Sequence, residues 1–333
     1  MLLQNLMPDI LGVQQPVRAA PTLFQAFRRH RLVLPEGGLF EQGLERIVAD
    51  VQQGKSVLVC CNTVQRAQDM RKALLDRLPP AHVALLHSRF TMEDRLEHEK
   101  LVLQYCSHST SNRSIAVVAT QVVEVSLNID LDTIYTDLAP LDALIQRFGR
   151  VNRSRTKAIV PVHVFREPRD GQGVYLENLV KRTLDVLSAH NGAEIDEAAV
   201  EGWLNEIYNT PEIRDPWIKE HRQQFQTAEG LLRRLRPFDS EKELEEAFEK
   251  LFDGVEVLRE HFEKRYCEHI TNGEFIEAAQ LFVPISYKKC QQLRGRGKIG
   301  LLDEKNERRW IAKLPYNSTL GLLFEPAPKS AQR

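Results

Sequence analysis

Aromatic residues make up only 7% of this 333-residue sequence, and cysteines number five. Cys60, Cys61, Cys106, Cys267 and Cys290 form no C-x-x-C pair and no zinc-type spacing. They read as reduced core thiols, which sets aside a disulfide framework and leaves no metal site expected. No apolar run approaches the ~20 residues of a membrane span. The opening MLLQNLMPDILG also lacks the basic stretch of a signal peptide. A cytoplasmic protein with no membrane partner is the expectation. Charge of one sign is missing too: 45 Lys and Arg stand against 46 Asp and Glu, a net charge of −1. No global field marks a polyanionic partner, so nucleic-acid binding would have to use local patches.

A complete G-x-x-x-x-G-K-[ST] phosphate loop is absent as well. Gly54-Lys55-Ser56 is only its tail, and Ala49 stands where the first glycine belongs. LFEQGLERIVADVQQ has helical spacing at Leu44, Ile47, Val48 and Val51, whereas SVLVCC after it reads as a buried strand. Helix, turn, strand is the reverse of the order that aims loop N–H groups and a helix N-terminus at phosphates. Gly54 is therefore expected to end a helix, and Lys55 to be a turn lysine.

What is present is a soluble globular composition, 42% hydrophobic and 27% charged. From 38 to 167, strand-like and helical runs alternate, the pattern of an α/β domain with a parallel sheet. The order is strand SVLVCCN, helix TVQRAQDMRKALLDRL, strand HVALLHS, helix TMEDRLEHEKLVLQYC, strands SIAVVATQ and TIYTDLA, helix LDALIQRFGRVNR, strand AIVPVHVF. Residues 1–37 read as a lead-in or interdomain linker. Residues 168–275 read as a helical accessory region, including SEKELEEAFEKLFDGVEVLREHFEKRYCEHI. Residues 276–333 read as a small C-terminal domain in which LFVPISYKKC, KIGLL and RRWIAKL suggest short antiparallel strands.

The segment richest in chemistry is DALIQRFGRVNR, 142–153. On a continuous helix at about 100° per residue, Gln146, Arg150 and Arg153 share an arc of about 60°. Leu141, Leu144, Ile145, Phe148 and Val151 fall on the opposite side, and Arg147 lies about 100° from Gln146. Gly149 costs about 1 kcal/mol against alanine inside a helix and suggests close approach of another surface. Two fixed guanidiniums suit phosphoryl oxygens. Spacing alone equally admits a solvated basic face.

QRFGRVNR fits the Q-x-x-G-R-x-x-R motif six of superfamily two helicases. VVATQVVEVSLNIDLD upstream resembles their motif five, VLVCCNTVQRAQ is similar to motif four, and LLHSRFTMEDR to the element after it. Together, HSRF, the motif-five run and DLAPLDALIQRFGRVNR resemble the CRISPR-associated helicase-nuclease of type I interference, over about residues 55–165. LPYNSTLGL loosely resembles its C-terminal domain. Val125 stands where that family commonly has glutamine, so this side chain brings no polar role.

The resemblance implies an α/β fold: a second RecA-like parallel-sheet domain, then a mostly helical region and a small C-terminal β-containing domain. It implies ATP as cofactor, with the P-loop, the Asp-Glu motif and Mg2+ supplied by a first RecA-like domain. Arg150 and Arg153 would contact the terminal phosphate, one as an arginine finger worth about 10³ to 10⁵ in rate. Gln146 would sense the same group. Asp130 would lie near the sugar or hinge, and Glu124 would link the nucleotide and strand sites, unless these two are ordinary loop carboxylates.

For a single DNA strand, Asn62, Thr63, Thr120 and Gln121, with His87, Ser88 and Arg89, follow sheet strands at their C-terminal ends, where open α/β sheets bind ligands. Small hydroxyl and amide groups there suit contacts to backbone phosphates. LLRRLRPF and KKCQQLRGRGK are basic patches that fit a strand path or a solvated surface alike. The sequence contains no D-E-x-H, D-E-A-D or His-Asp string. The expected activity is that of the motor half of an ATP-dependent single-stranded DNA helicase in antiviral CRISPR interference, inactive alone. Its expected partners are single-stranded DNA, the P-loop half, the CRISPR effector complex and an HD nuclease. A non-catalytic nucleic-acid or effector-binding module and a fragment of another superfamily two helicase are the alternatives.

Overall fold

The computed structural model describes residues 20–106, 114–125, 127–234, 254–303 and 306–324. Along residues 20–234 the elements are α1 (Pro21–Ala26), β1 (His30–Val33), α2 (Leu44–Gln52), β2 (Ser56–Cys60), α3 (Val64–Leu75), β3 (Val83–Leu86), α4 (Met92–Cys106), β4 (Ile115–Ala119), α5 (Val122–Val125), β5 (Thr133–Thr136), α6 (Leu141–Phe148), β6 (Val160–Val164), α7 (Glu177–Ala189), β7 (Glu194–Ile195), α8 (Glu197–Tyr208) and α9 (Pro211–Arg234). From 254 onward they are β8 (Val255–Arg259), α10 (Glu263–Asn272), α11 (Phe275–Ala279), β9 (Phe282–Ile285), α12 (Tyr287–Gly295), β10 (Ile299–Asp303), β11 (Asn306–Ala312), β12 (Tyr316–Asn317) and β13 (Gly321–Leu322).

Two compact units result, one of residues 1–84 and 101–225, the other of residues 85–100 and 226–333. The seven-stranded sheet has the order β3-β4-β2-β5-β6-β1-β7. β2 runs parallel to both β4 and β5, β6 is parallel to β5 and β1, and the short β7 pairs antiparallel with β1. All five positions of β2 and of β4 are buried, the unbroken apolar pattern of strands covered on both faces. With Ser56 paired to Ile115 and Val57 to Thr133, the strands end together, so Asn62, Thr120 and Asp137 emerge at one edge. The α/β expectation holds.

The GKS segment behaves as its surroundings dictate. Helix α2 ends at Gln52, Gly54 takes the left-handed φ of +90° that glycine tolerates, and Lys55 pairs with Asp50 at 2.6 Å. Strand β2 follows directly.

Three boundaries differ from the expected ones. β1 lies inside the supposed lead-in 1–37 yet pairs with β6 from His30↔Val160 to Val33↔His163. Its four residues, too few to show a period, hid a strand whose Leu32 is fully buried. β7 likewise brings Glu194 and Ile195 of the supposed helical region into the same sheet. β8 occupies VEVLR within the supposed helical stretch, because Val255 and Val257 alternate inward with Glu256 outward. The part of that stretch at 240–253 lies outside the described residues.

In the second unit, β8 lies between β11 and β9 in a four-stranded sheet of order β10-β11-β8-β9. Its pairing with β11 is parallel, and β10 with β11 and β8 with β9 are antiparallel, so the antiparallel expectation holds in part. YKKC is not strand: Ser286 caps α12 by accepting from the Lys289 N–H at 3.3 Å. Val257, Val283, Cys290, Leu293, Trp310 and Leu322 belong to the core of this unit. Among the described residues, no helix is long and apolar enough to cross a membrane.

Candidate functional site

At the C-terminal edge of the large sheet the structure builds a polar network around one arginine. Arg147, on α6, is fully buried. Its Nε donates to Glu124 Oε1 at 2.9 Å, one terminal nitrogen to Thr136 Oγ1 at 2.8 Å, and the other to Asn62 Oδ1 at 3.1 Å and the Tyr175 hydroxyl at 3.0 Å. A buried guanidinium survives only if a countercharge and acceptors replace water, and this set supplies both. Burial also holds the Tyr175 hydroxyl above its ordinary pKa, although Arg147 opposes it.

Asn62 closes the network. Its N–H donates to Asp137 Oδ2 at 3.0 Å, its amide to the Leu138 carbonyl at 2.7 Å, and its own carbonyl accepts from Gln121 Nε2 at 2.8 Å. Asp137, fully buried, accepts both Arg66 Nε at 2.9 Å and its terminal nitrogen at 2.7 Å, a bidentate ion pair. Thr63 is the N-cap of α3, accepting from the Arg66 N–H at 3.3 Å, and Thr120 is buried. The structure therefore brings Asn62, Thr63, Thr120, Gln121 and Glu124 together, but engages Asn62 inside the protein and buries Thr120. The expectation that Asn62 presents a free amide to a strand is corrected: the chain's own buried donors and acceptors must be satisfied first.

The motif-six helix is shorter than its spacing implied. α6 stops at Phe148 with Gly149 at its C-cap, and Leu131 pairs with Val151 as an isolated parallel bridge. The Leu131 N–H donates to the Arg150 carbonyl, and Asn152 N–H to the Leu131 carbonyl, each at 3.0 Å. Those bonds take the backbone groups a continuing helix would use. Gly149 thus serves as a helix end, and no close approach of a foreign surface is needed to explain it. Leu141, Leu144, Phe148 and Val151 are core as expected, whereas Ile145 is half-buried and Gln146 is exposed.

Arg150 folds back onto the α5 loop. Nε donates to the Val123 carbonyl at 2.7 Å, and the terminal nitrogens to Leu127 at 2.8 Å and Glu124 at 2.7 Å. Burial, then the nearby Arg153, push its pKa down. Arg153 is exposed, and its N–H donates to Asp130 Oδ1 at 2.7 Å while Ser154 N–H donates to Oδ2 at 3.0 Å. Burial disfavours the Asp130 charge, but these bonds and the Ser154 hydroxyl outweigh it and hold its pKa low. Arg150, Arg153 and Asp130 are thus brought together, with Arg153 turned outward and Arg150 spent on the loop.

His87, Ser88 and Arg89 belong to the second unit. His87 is buried, stacked on Phe90 with ring centroids 4.2 Å apart, and both ring nitrogens are engaged. Nε2 meets the Leu320 carbonyl and Nδ1 accepts from the Arg89 N–H, each at 3.1 Å. Burial, then Arg89, lower its pKa to about 3, so the ring is neutral. Arg89 lies over the Phe324 ring at 4.0 Å, and Gly321 packs so tightly that a Cβ there would sit 2.5 Å from the Arg89 carbonyl. The hairpin β12–β13 of the LPYNSTLGL run thus occupies the surface that was expected to be open at His87; only Ser88 is exposed.

Of the basic patches, LLRRLRPF lies outside the described side chains, while in KKCQQLRGRGK Lys289 sits 4.4 Å from the Phe324 ring and Arg294 5.5 Å from that of Trp310. Burial raises the thiol pKa of Cys60 to about 12 and that of Cys61 well above its ordinary value, so both are inert packing groups. Among the described residues no group of three or more His, Cys, Asp or Glu converges to hold a metal. Sequence reasoning missed Arg147, Tyr175 and the Arg66–Asp137 pair. A signal existed for Arg147: on the helix it lies only about 60° from Leu144, nearer the apolar arc than Gln146.

Residues 53–156 match the family model described as the C-terminal part of the CRISPR-associated nuclease/helicase Cas3. The CRISPR-associated endonuclease/helicase Cas3 of Escherichia coli K12 is 33% identical over 202 residues, covering 56% of this chain and 23% of that protein. The crystal structure of T. fusca Cas3 superposes with a TM-score of 0.62 at 20% identity, covering 94% of this chain and 44% of that one. A CRISPR RNA-guided surveillance complex in a pre-nicking state contains a chain of the same fold, with a TM-score of 0.59 at 18% identity over 96% of this chain and 46% of that one. In its fold and in the matched segment the chain resembles the CRISPR-associated nuclease/helicases. It corresponds to the C-terminal part of a Cas3 helicase-nuclease. The chain spans less than half the length of the T. fusca structure, and the E. coli match less than a quarter of that protein.

Proposed function

We propose that this chain is the arginine-donating half of an ATP-dependent single-stranded DNA translocase in type I CRISPR interference, acting in antiviral defence. The observation that carries the reading is Arg153: exposed, with its backbone fixed on Asp130, beside an Arg150 that staples the preceding loop. In this arrangement Arg153 is the finger and Arg150 the clamp that sets the loop from which it projects. Gln146, exposed on the last turn of α6, is proposed as the group that senses the same phosphoryl oxygens.

ATP fits the donor set on this side, since Arg153 supplies hydrogen bonds and charge for a phosphoryl oxygen. When bound, it would supply the phosphoanhydride whose cleavage drives movement along the strand. Its Mg2+ would be held by a first RecA-like domain, a reading supported by the lack of a converging group of three or more His, Cys, Asp or Glu among the described residues. The fold is shared with a T. fusca Cas3 structure solved with ATP, which supports the nucleotide assignment. Partners proposed on the same footing are that first domain, single-stranded DNA, an HD nuclease and the effector complex.

Glu124 joins the two edges of the site. Its carboxylate holds Arg147, and its carbonyl holds Arg150. The direct test pairs the chain with a first RecA-like domain and measures DNA-stimulated ATP hydrolysis. Hydrolysis by the mixture and none by the chain alone is the expected result; DNA-stimulated turnover by the chain alone would overturn the division of labour.

A further inference from the structure

A second basic feature stands beside Arg153, and its residues come partly from outside the family match. Arg29 precedes β1. One of its terminal nitrogens donates to the Arg153 carbonyl at 3.3 Å, while its own carbonyl accepts from the Val160 N–H at 3.0 Å. Arg155 stands over the Phe27 ring at 4.1 Å. Arg29, Arg153 and Arg155 are thereby gathered at one place, and Arg29 pays electrostatically: burial lowers its pKa, Glu197 partly compensates, and Arg155 and Arg153 lower it further.

The loop is built to hold this geometry. Asn152 and Arg155 both adopt left-handed backbone angles, φ 46° and 57°, a strained conformation for a non-glycine residue. Asn152 is buried, and its amide donates to the carbonyls of Arg29, Lys157 and Ala158 at 3.4, 3.3 and 3.0 Å. The carboxylates within reach are Asp130, occupied by the Arg153 and Ser154 N–H groups, and Glu197. Lys157 is already paired with Asp132, and Arg28 with Asp196 at 3.0 Å. A solvated basic surface has no need of like charges crowded by a strained, side-chain-braced loop.

We propose that Arg29 and Arg155 extend Arg153 into a three-guanidinium seat for an oligophosphate, the β- and γ-phosphates of a nucleoside triphosphate. Planar guanidiniums match pairs of phosphoryl oxygens, and three of them suit adjacent phosphates on one small ligand. Backbone phosphates of a single strand offer the same oxygens, but a strand path needs cations spread along a groove. Here all three come from residue 29 and a single loop. The proposal rests on the reading of Arg153 as nucleotide-facing, and names two ligands that reading lacks.

The test uses the whole chain, without a first domain and with chelator present, titrated calorimetrically with inorganic tripolyphosphate, ATP and oligothymidylate. Tripolyphosphate and ATP should bind, and Arg29→Gln or Arg155→Asn should weaken both by about tenfold, the equivalent of one charge-assisted bond at about 1.4 kcal/mol. Asparagine keeps the left-handed backbone at 155, and the backbone bonds of Arg29 do not depend on its side chain. Arg77→Gln, the matched loss of one exposed charge, should leave both affinities unchanged, and the melting temperature of each variant verifies folding. Absence of tripolyphosphate binding, or equal affinity in the parent and both variants, would overturn the seat. Loss of oligothymidylate affinity by the same factor would overturn it too, in favour of a strand contact. Because no hydrolysis is measured, failure here leaves the role of Arg153 in turnover to its own test.

Discussion

Arg147 Nε donates to Glu124 Oε1 at 2.9 Å, with the arginine side chain wholly buried and the glutamate 15% exposed. Because the same guanidinium also holds Asn62, Thr136 and Tyr175, this pair fastens the ends of β2 and β5 to α5, which carries Glu124. A buried pair of this kind need not add net stability, but breaking it from one side is costly.

Arg147→Met should therefore destabilise the first unit by about 3 to 5 kcal/mol, because it leaves the Glu124 carboxylate unpaired. Arg147→Met with Glu124→Gln should recover a large share. Urea midpoints for the two variants check this. Equal midpoints for the parent and the Arg147 single variant would make the network a bystander.

Acid should loosen the protein well above the carboxylate range. His30 and His163 have pKa values lowered to about 4, and His87 to about 3, in each case chiefly by burial. An unfolded histidine takes up its proton near pH 6.5, so between there and the folded values the unfolded chain binds more protons and stability rises with pH. Stability from these groups is complete above about pH 7 and is lost as the pH falls toward 4. His30→Gln and His163→Phe should flatten that slope between pH 7 and 5 in denaturant midpoints; an unchanged slope would contradict the neutral, buried assignment.

How much could be read beforehand follows from local signals. The β2 and β4 runs were legible because strands covered on both faces are almost continuously apolar, β5 and β6 because β-branched residues recur in TIYT and VPVHV, and Gly54 because a helix before it and a strand after it leave one role. β1 was not, since four residues show no period and its place depends on pairing with β6 about 130 residues away. Burial of Arg147 had a helical-spacing signal, but the partners of Arg147 and Arg150 were equally hidden. Both depend on acceptors, at Asn62, Glu124 and Leu127, that only the fold assembles. Periodicity placed Gln146 outside, but extrapolating the helix past Gly149 gave Arg150 and Arg153 one shared face they do not have.

Lys55 offers a compact control on nucleotide use. It is paired with Asp50 behind a helix end, so Lys55→Ala should leave ATP affinity unchanged and cost less than about 1 kcal/mol, as for an exposed pair. Gly54→Ala, forcing a side chain into φ +90°, should cost about 1 to 2 kcal/mol. Loss of ATP binding in the Lys55 variant would return Gly54-Lys55-Ser56 to consideration as a phosphate loop.

The central claim is that Arg153 acts on the terminal phosphate, and the measurement that reaches it is DNA-stimulated ATP hydrolysis by the chain paired with a first RecA-like domain. Arg153→Ala should lower the rate by about 10³ to 10⁵, as for an arginine finger, with a melting temperature equal to that of the parent because the side chain is exposed. Arg77→Ala, another exposed arginine, should retain the parent rate. Equal rates in the Arg153 and Arg77 variants would contradict the account.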